Sequence, residues 1–239
     1  MAFINILYNL WPSGDKLIPG LRDAMAAQAP ALFPKYGITT DTTLAQFMAQ
    51  VSLECGAGVE VEENLSYSAQ RMTEVWPARF PTINSAIPYV HNPRMLANKV
   101  YNGRMGNALN SNDGWNYRGR GATQTTGREG YEALGKHMGL DLINHPELVN
   151  DPAHFLECGV ADFVICGCLP WAEKDDIVSV TKHLNGGLTD LSQREQWLAR
   201  WKAALRGISL PLPVPGVSAT NVQPVVPPAD RSDWIDSFV

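Results

Sequence analysis

Several features that would assign the chain quickly are missing from its 239 residues. No stretch approaches the roughly 20 uninterrupted apolar residues of a membrane-spanning helix, so no membrane span is expected. Positive charge is not in excess. The formal net charge is −5, which argues against the basic surface of a general nucleic-acid binder. Any attraction for an anionic polymer must then come from local patches. The start, MAFINILYNLWPSGDK, has no basic leading region and no small-residue cleavage site, so no secretory signal is expected. Cysteine is scarce: Cys55, Cys158, Cys166 and Cys168 form no paired CxxC knuckles, and no histidine lies close to the last two. That spacing argues against a zinc site and favours buried, reduced thiols. Internal repeats are absent, as is the G-x-x-x-x-G-K-[ST] spacing of a phosphate loop.

What is present is an ordinary globular composition, 45% hydrophobic and 18% charged, long enough to bury one large core or two small ones. Most of the chain reads helical. Three- and four-residue apolar spacing predicts helices over 15–29 and 41–55. In the second, Leu44, Phe47, Met48, Val51 and Cys55 share a face. Ser68 is a candidate N-cap for a helix over 69–76, and Asn92 with Pro93 opens another over 93–102. Further helices are expected over 127–138, 152–168, 174–184 and 190–205, the apolar 152–168 being central. Between residues 103 and 121 the period fails, and the segment GRMGNALNSNDGWNYRGRG reads as a long ordered loop, irregular or with a short hairpin. Loops of that length in a compact domain carry function. From 207 to 239 six prolines and no amphipathic repeat predict a disordered linker or tail. One domain, 1–206, followed by that tail is the expected organisation.

The residues with chemical potential begin at QVSLECGAGVEVEENLSYS, residues 50–68. Glu54 lies at the margin of the apolar stripe, close to Phe47, while Leu53 points to the other side. A carboxyl held against apolar neighbours has a raised pKa, which suits a general acid. Gly56 and Gly58 then permit a sharp turn, with Glu60, Glu62 and Glu63 beyond it. From these residues alone two readings stand, a solvated helix end or a working pair of carboxylates. In YRGRGATQTTGR, residues 117–128, glycines alternate with Arg118 and Arg120 ahead of the polar cluster Gln124, Thr125 and Thr126. It is either a sugar- or water-holding loop or a basic surface turn with a helix cap. Trp115, in the same loop, is a candidate sugar-stacking platform, and Tyr117 and Arg120 are candidate substrate contacts. Trp76, Trp171, Trp197 and Trp201 fit the core, and the five scattered histidines fit structural or surface roles. LNGG, residues 184–187, makes a helix C-cap around Asn185. Arg194 is either a surface arginine or the partner of a buried carboxylate.

Taken in order, AQVSLECGAG (49–58), VEENLSYSAQR (61–71), VYNGRMGN (100–107), NDGWNYRGRGATQTTGREGY (112–131), HPEL (145–148) and LNGG (184–187) resemble glycoside hydrolase family 19. The likeness covers roughly residues 40 to 205 and is nearer to the short bacterial and phage wall-lysing members than to plant chitinases. The resemblance implies a mainly α, two-lobed, lysozyme-like helical fold with a substrate cleft between the lobes. It implies inverting hydrolysis of β-1,4 bonds next to N-acetylglucosamine, with no metal and no cofactor. By position it makes Glu54 the general acid, Glu63 the general base and Thr126 a residue that places the attacking water. Gln124 and Asn185 fall at sugar- or water-binding positions, and Arg194 in the carboxylate network. Glu60 and Glu62 are left as surface acids. Three positions depart from the family pattern: Leu53 stands in place of histidine, Cys55 in place of a small polar residue, and Gly130 in place of asparagine.

The leading expectation is therefore a peptidoglycan-cleaving endolysin, monomeric and made in the cytoplasm without a signal peptide. It would reach the cell wall or periplasm through a phage holin-type pore. A chitinase acting on chitin or its oligomers is the alternative. A secreted antibacterial effector and a silent glycan-binding protein are more remote, and the presence of both Glu54 and Glu63 counts against the last.

Overall fold

Local capping chemistry explains where most helices begin. Thr40 accepts from the Thr43 amide while Thr43 reaches back to Thr40, satisfying two donors at the start of the long helix that ends in Glu54. Ser68 and Asn92 cap their helices as expected, and Asp176 caps another through the Ser179 amide. The computed structural model describes residues 2–206, so the Pro-rich tail read over 207–239 lies outside the described residues.

Twelve α-helices are found among the described residues: α1 (Phe3–Leu10), α2 (Leu21–Lys35), α3 (Asp41–Glu54), α4 (Ala69–Val75), α5 (Ile83–Ala86), α6 (Pro93–Tyr101), α7 (Asp113–Asn116), α8 (Arg128–Met138), α9 (Phe155–Ile165), α10 (Leu169–Ala172), α11 (Ile177–Asn185) and α12 (Leu191–Leu205). No strand forms among them. The irregular region from 103 to 127 contains α7 and two single antiparallel bridges, Glu62 with Arg120 and Arg120 with Thr125, and no hairpin. No helix of the described residues is long and apolar enough to cross a membrane.

The first expected helix is corrected most. Residues 15–20 form turns, because Gly20 takes a left-handed conformation at φ 75° immediately before α2. The helix then runs past Pro30 to Lys35. Proline removes one backbone bond there, but Ala29, Leu32 and Phe33 on either side of it are buried in the core, and that burial outweighs the local penalty. α1 had no counterpart in the sequence reading. The helix expected over 174–184 starts at 177, after its Asp176 cap, and the separate α10 precedes it.

Two hydrophobic cores define two lobes. The larger is built from α1–α3 and α8–α12 around Trp11, Phe47, Phe163 and Trp201. Phe47 meets Phe33 and Phe163 edge-on, at centroid distances of 6.0 and 5.5 Å, the geometry aromatic quadrupoles favour. The smaller core gathers Leu65, Met72, Trp76, Phe80, Leu96 and Tyr101 from α4–α6 and their connections. All four cysteines are buried and none is in a disulfide.

α3 is the axis of the larger lobe, and α12 lies along it. Ser52, fully buried, accepts two indole N–H groups, from Trp11 at 2.9 Å and from Trp201 at 2.8 Å. One hydroxyl oxygen thus ties α12 and the end of α1 to the last turn of α3, using both its lone pairs. Replacing it in Ser52→Ala strands two buried donors. Urea unfolding should show a loss of roughly 2–6 kcal/mol, since each of the two unsatisfied groups costs about 1–3. A loss below about 1 kcal/mol would show that the two indoles do not depend on this acceptor.

Candidate active site

α3 delivers Glu54 at its last helical position, and Cys55 closes the helix. Glu54 has a charged neighbour beside its apolar ones. Its Oε1 accepts from Arg194 Nη2 at 2.6 Å, the two side chains being 6% and 3% exposed. Arg194 also donates through Nη1 to Gln50 Oε1 and through Nε to the Thr189 carbonyl, and Gln50 donates to Thr181 Oγ1 at 3.0 Å. Gln50 lies one helical turn before Glu54, on the same face. That i, i+4 relation was the sequence signal that could have identified it.

The glycine turn sends the chain back across the end of α3. Gly56, Ala57 and Gly58 have φ of 54°, 54° and 88°, and the Glu60 amide donates to the Cys55 carbonyl at 2.9 Å. A methyl on Gly58 would fall 2.7 Å from the Gly14 carbonyl oxygen, so the close approach of these two loops requires glycine. Residues 61–63 then run alongside 119–121, with Glu63 N bonded to Gly119 O at 2.9 Å and Gly121 N to Val61 O at 3.0 Å. Here the three acids separate. Glu60 is exposed at the cleft. Glu62, read from sequence as a surface acid, accepts from Arg118 at 2.8 and 2.5 Å and from Arg120 at 3.2 Å, although its side chain is 41% exposed.

Glu63 points the other way. Its Oε1 accepts from the Tyr101 hydroxyl at 2.5 Å, and its Oε2 has only a long contact, 3.4 Å, from the Gly119 amide. Burial pushes its carboxyl up to about 7, against the pull of Tyr101, Gly119 and Arg118 and with an added push from Glu62. Gly119 lets three groups converge: a methyl there would stand 3.1 Å from Gln124 Oε1, 3.2 Å from Thr126 Oγ1 and 3.4 Å from Glu63 Cβ. Gln124 itself sits at φ 52°, the left-handed strain that functional loops accumulate. Its amide nitrogen bonds the Glu60 and Gly121 carbonyls, and its own carbonyl accepts from Thr126 Oγ1.

Glu54 and Glu63 open into one cleft of about 630 Å³, to which Leu53, Glu62, Gln124, Asn185 and Arg194 also contribute. Both lobes supply walls, since Tyr67 and Arg71 of the smaller lobe join them. Asn185 is held at the end of α11 by the left-handed Gly186, and its buried Oδ1 has no hydrogen-bond partner among the described residues. The structure does not bring every candidate into the cleft, and Thr126, 2% exposed, is outside its lining. Trp115 lies beneath the Arg118 guanidinium, 3.7 Å from its ring centroid, and Arg120 is occupied by Glu62 and the Asn116 carbonyl. Tyr117 donates to the Ile143 carbonyl at 3.0 Å. These three build the loop that carries Gly119 and Gln124. None of the five histidines lines the cleft, and no cluster of three or more His, Cys, Asp or Glu side chains is placed to hold a metal among the described residues.

The departures fall in different places. Cys55 is buried, donates its thiol to the Val51 carbonyl and is pushed by burial up to about 12, so it fills space beside Glu54 as an inert thiol. Leu53 lines the cleft. Gly130 lies in the first turn of α8, outside the cleft lining. Tyr101 stands in the segment VYNGRMGN, 100–107, yet has no role in the sequence analysis, because that segment alone does not show which of its residues reaches a carboxylate.

The raised Glu63 pKa has a measurable consequence for stability. A carboxyl whose folded pKa exceeds its usual value of 4.5 binds its proton more tightly when folded, so it lowers stability as pH rises from about 4.5 through 7. Glu63→Gln removes that penalty. The variant should be more stable than the parent at pH 8, by something on the order of 1–3 kcal/mol, with the gap closing near pH 5. Thermal unfolding at the two pH values measures it, and a gap of equal size at both would contradict the assigned cause.

No family model matches the chain. A curated protein of Haemophilus influenzae, described as a glycosyl hydrolase family 19 domain-containing protein, is 35% identical over 179 residues, 74% of this chain and 85% of that protein. Among solved structures, chitinase C from Streptomyces griseus HUT6037 superposes with a TM-score of 0.54 at 18% identity, over 85% of this chain and 93% of that one. A class IV family 19 chitinase from Zea mays superposes with a TM-score of 0.53 at 16% identity, over 89% and 96%. These likenesses show the shared fold, and the Haemophilus relative, at its identity and coverage, shows the family: this chain belongs to glycosyl hydrolase family 19.

Proposed function

We propose that this glycoside hydrolase cleaves β-1,4 bonds of peptidoglycan by a single inverting displacement, with Glu54 as general acid and Glu63 as general base. The observation that carries the reading is two carboxyl groups opening into one cleft with separate partner sets, Arg194 for Glu54 and Tyr101 for Glu63. With Oε1 of Glu54 engaged by Arg194, its Oε2 is the oxygen left to carry the proton for the leaving group. Glu63 Oε2 takes a proton from water, the resulting hydroxide bonds to the anomeric carbon, and the C–O bond to the leaving sugar breaks as Glu54 protonates that oxygen. Solvent exchange then returns a proton to Glu54 and removes one from Glu63. A base whose pKa lies near 7 is ionised often enough, and basic enough, to work at neutral pH. Gln124, at the cleft wall and beside Glu63 across Gly119, is suited to orient the water, with the buried Thr126 bonded to its backbone carbonyl, and Asn185, also at the cleft wall, is suited to bind a sugar.

Peptidoglycan is favoured by the sequence motifs shared with bacterial wall-lysing members. Chitin is the second reading, supported by those chitinase folds. Purified sacculi and chitin oligomers should be digested in parallel, with products followed by mass spectrometry and anomeric NMR. Peptidoglycan cleavage with α-anomeric initial products is expected, and β-anomers appearing first would exclude inversion. Glu54→Gln and Glu63→Gln should each lower kcat by about 10²–10⁴-fold, the usual range for a lost acid or base. Unchanged turnover in either variant would remove that residue from its role.

A further inference from the structure

We infer that Tyr101 is the positioning residue of Glu63: its hydroxyl anchors Oε1 and reserves Oε2 for the proton of the attacking water. The inference rests on Glu63 as the base and adds a residue to which the family motifs give no role. Tyr101 ends α6 and is 1% exposed, and its O–H reaches Glu63 across the sequence at 2.5 Å. Its mount is rigid. The Tyr101 carbonyl accepts from the Arg104 amide at 3.2 Å and from Asn107 Nδ2 at 3.1 Å. Its ring belongs to the smaller core with Leu96, Val100 and Met105.

The two oxygens of Glu63 are therefore unequal. Oε1 has a short bond to a buried phenol, whereas Oε2 has one distant amide at 3.4 Å. A carboxylate free to rotate would present either oxygen to water, and anchoring one oxygen fixes the direction of the other's lone pairs. A phenol donating to a carboxylate also favours its ionised form, opposing the burial that pushes the proton on. Arg118 and Glu62 from the adjoining loops also act on Glu63, and Glu63 in turn acts on Tyr67 beside the cleft, which Arg71 influences with the opposite sign. Arg118 is bonded to Glu62 and stacked on Trp115, so neither it nor Glu62 takes up the oxygen that Tyr101 holds.

The test titrates Glu63 directly in the full chain, by carboxyl ¹³C NMR with the resonance assigned through Glu63→Gln. Tyr101→Phe keeps the ring and loses the donor, and should raise the Glu63 midpoint by about one pH unit. Replacing Tyr101 by 3-fluorotyrosine, a stronger donor of nearly the same shape, should lower it. Packing changes alone would not move the two variants in opposite directions. The acid limb of the pH–rate profile should follow the same two shifts. At pH 6, kcat should fall about tenfold in Tyr101→Phe, with KM changed less than about twofold. A Glu63 midpoint unmoved in both variants overturns the inference. Full activity in Glu63→Gln would instead overturn the role of Glu63 as base, and the two failures are read in different proteins.

Discussion

The buried ion pair between Glu54 and Arg194 is the interaction on which the arrangement of the larger lobe turns. Taking two charges out of water is expensive, and their attraction compensates only when the remaining donors are also satisfied. Here each of the three guanidinium nitrogens of Arg194 has a partner, Glu54, Gln50 and the Thr189 carbonyl, and Gln50 is held by Thr181. These partners come from three places: α3, the α11–α12 connection, α11 itself. The guanidinium consequently sits where three segments of the lobe must agree, and α12 cannot shift along α3 without leaving a charge unpaired. Ser52, two residues before Glu54, adds an uncharged version of the same constraint through Trp11 and Trp201.

The second carboxyl is positioned by other means. Glu63 lies on an irregular stretch held by single backbone bonds to residues 119–121, and its Tyr101 anchor belongs to the smaller lobe. One acid is thus built into a helix of the large core, and its counterpart is suspended between a loop and the small core. The glycine turn at 56–58 joins them by the shortest covalent route. That turn demands left-handed backbone, and it admits no side chain at Gly58 because Gly14 already occupies the space. Separate supports allow the two carboxyls to face one cleft while keeping different hydrogen-bond partners, which is the condition for giving two chemically identical groups two roles.

Capped helix ends were the most legible part of the fold, because caps are local. Ser68, Asn92 and the glycine that follows Asn185 do what their positions in the sequence imply. The start of α2 and its passage through Pro30 were not legible, since burial of Ala29, Leu32 and Phe33 decides them and burial is a property of the whole fold. The same division holds at the cleft. Residues 54, 63, 124, 185 and 194, picked out by motif, do line it. Trp115, Tyr117 and Arg120 share a motif with Gln124 yet support the loop from behind. A motif records which residues are needed together, and it does not record which of them face the substrate.

Glu62 shows why a scaffold residue can matter electrostatically without touching the reacting atoms. Arg118 favours the ionised form of Glu63, and left unneutralised it would hold that carboxylate in it more firmly. A carboxylate held that strongly is a poor base. Glu62 accepts from Arg118 and Arg120 and presents its own negative charge to Glu63, opposing the effect of Arg118. With the nearby charges set against each other, burial becomes the leading influence on Glu63 and two hydrogen bonds the correction to it. The stretch VEENL therefore places two adjacent acids on opposite duties: one absorbs the charge of the loop that shapes the cleft, and the other is left desolvated at its wall.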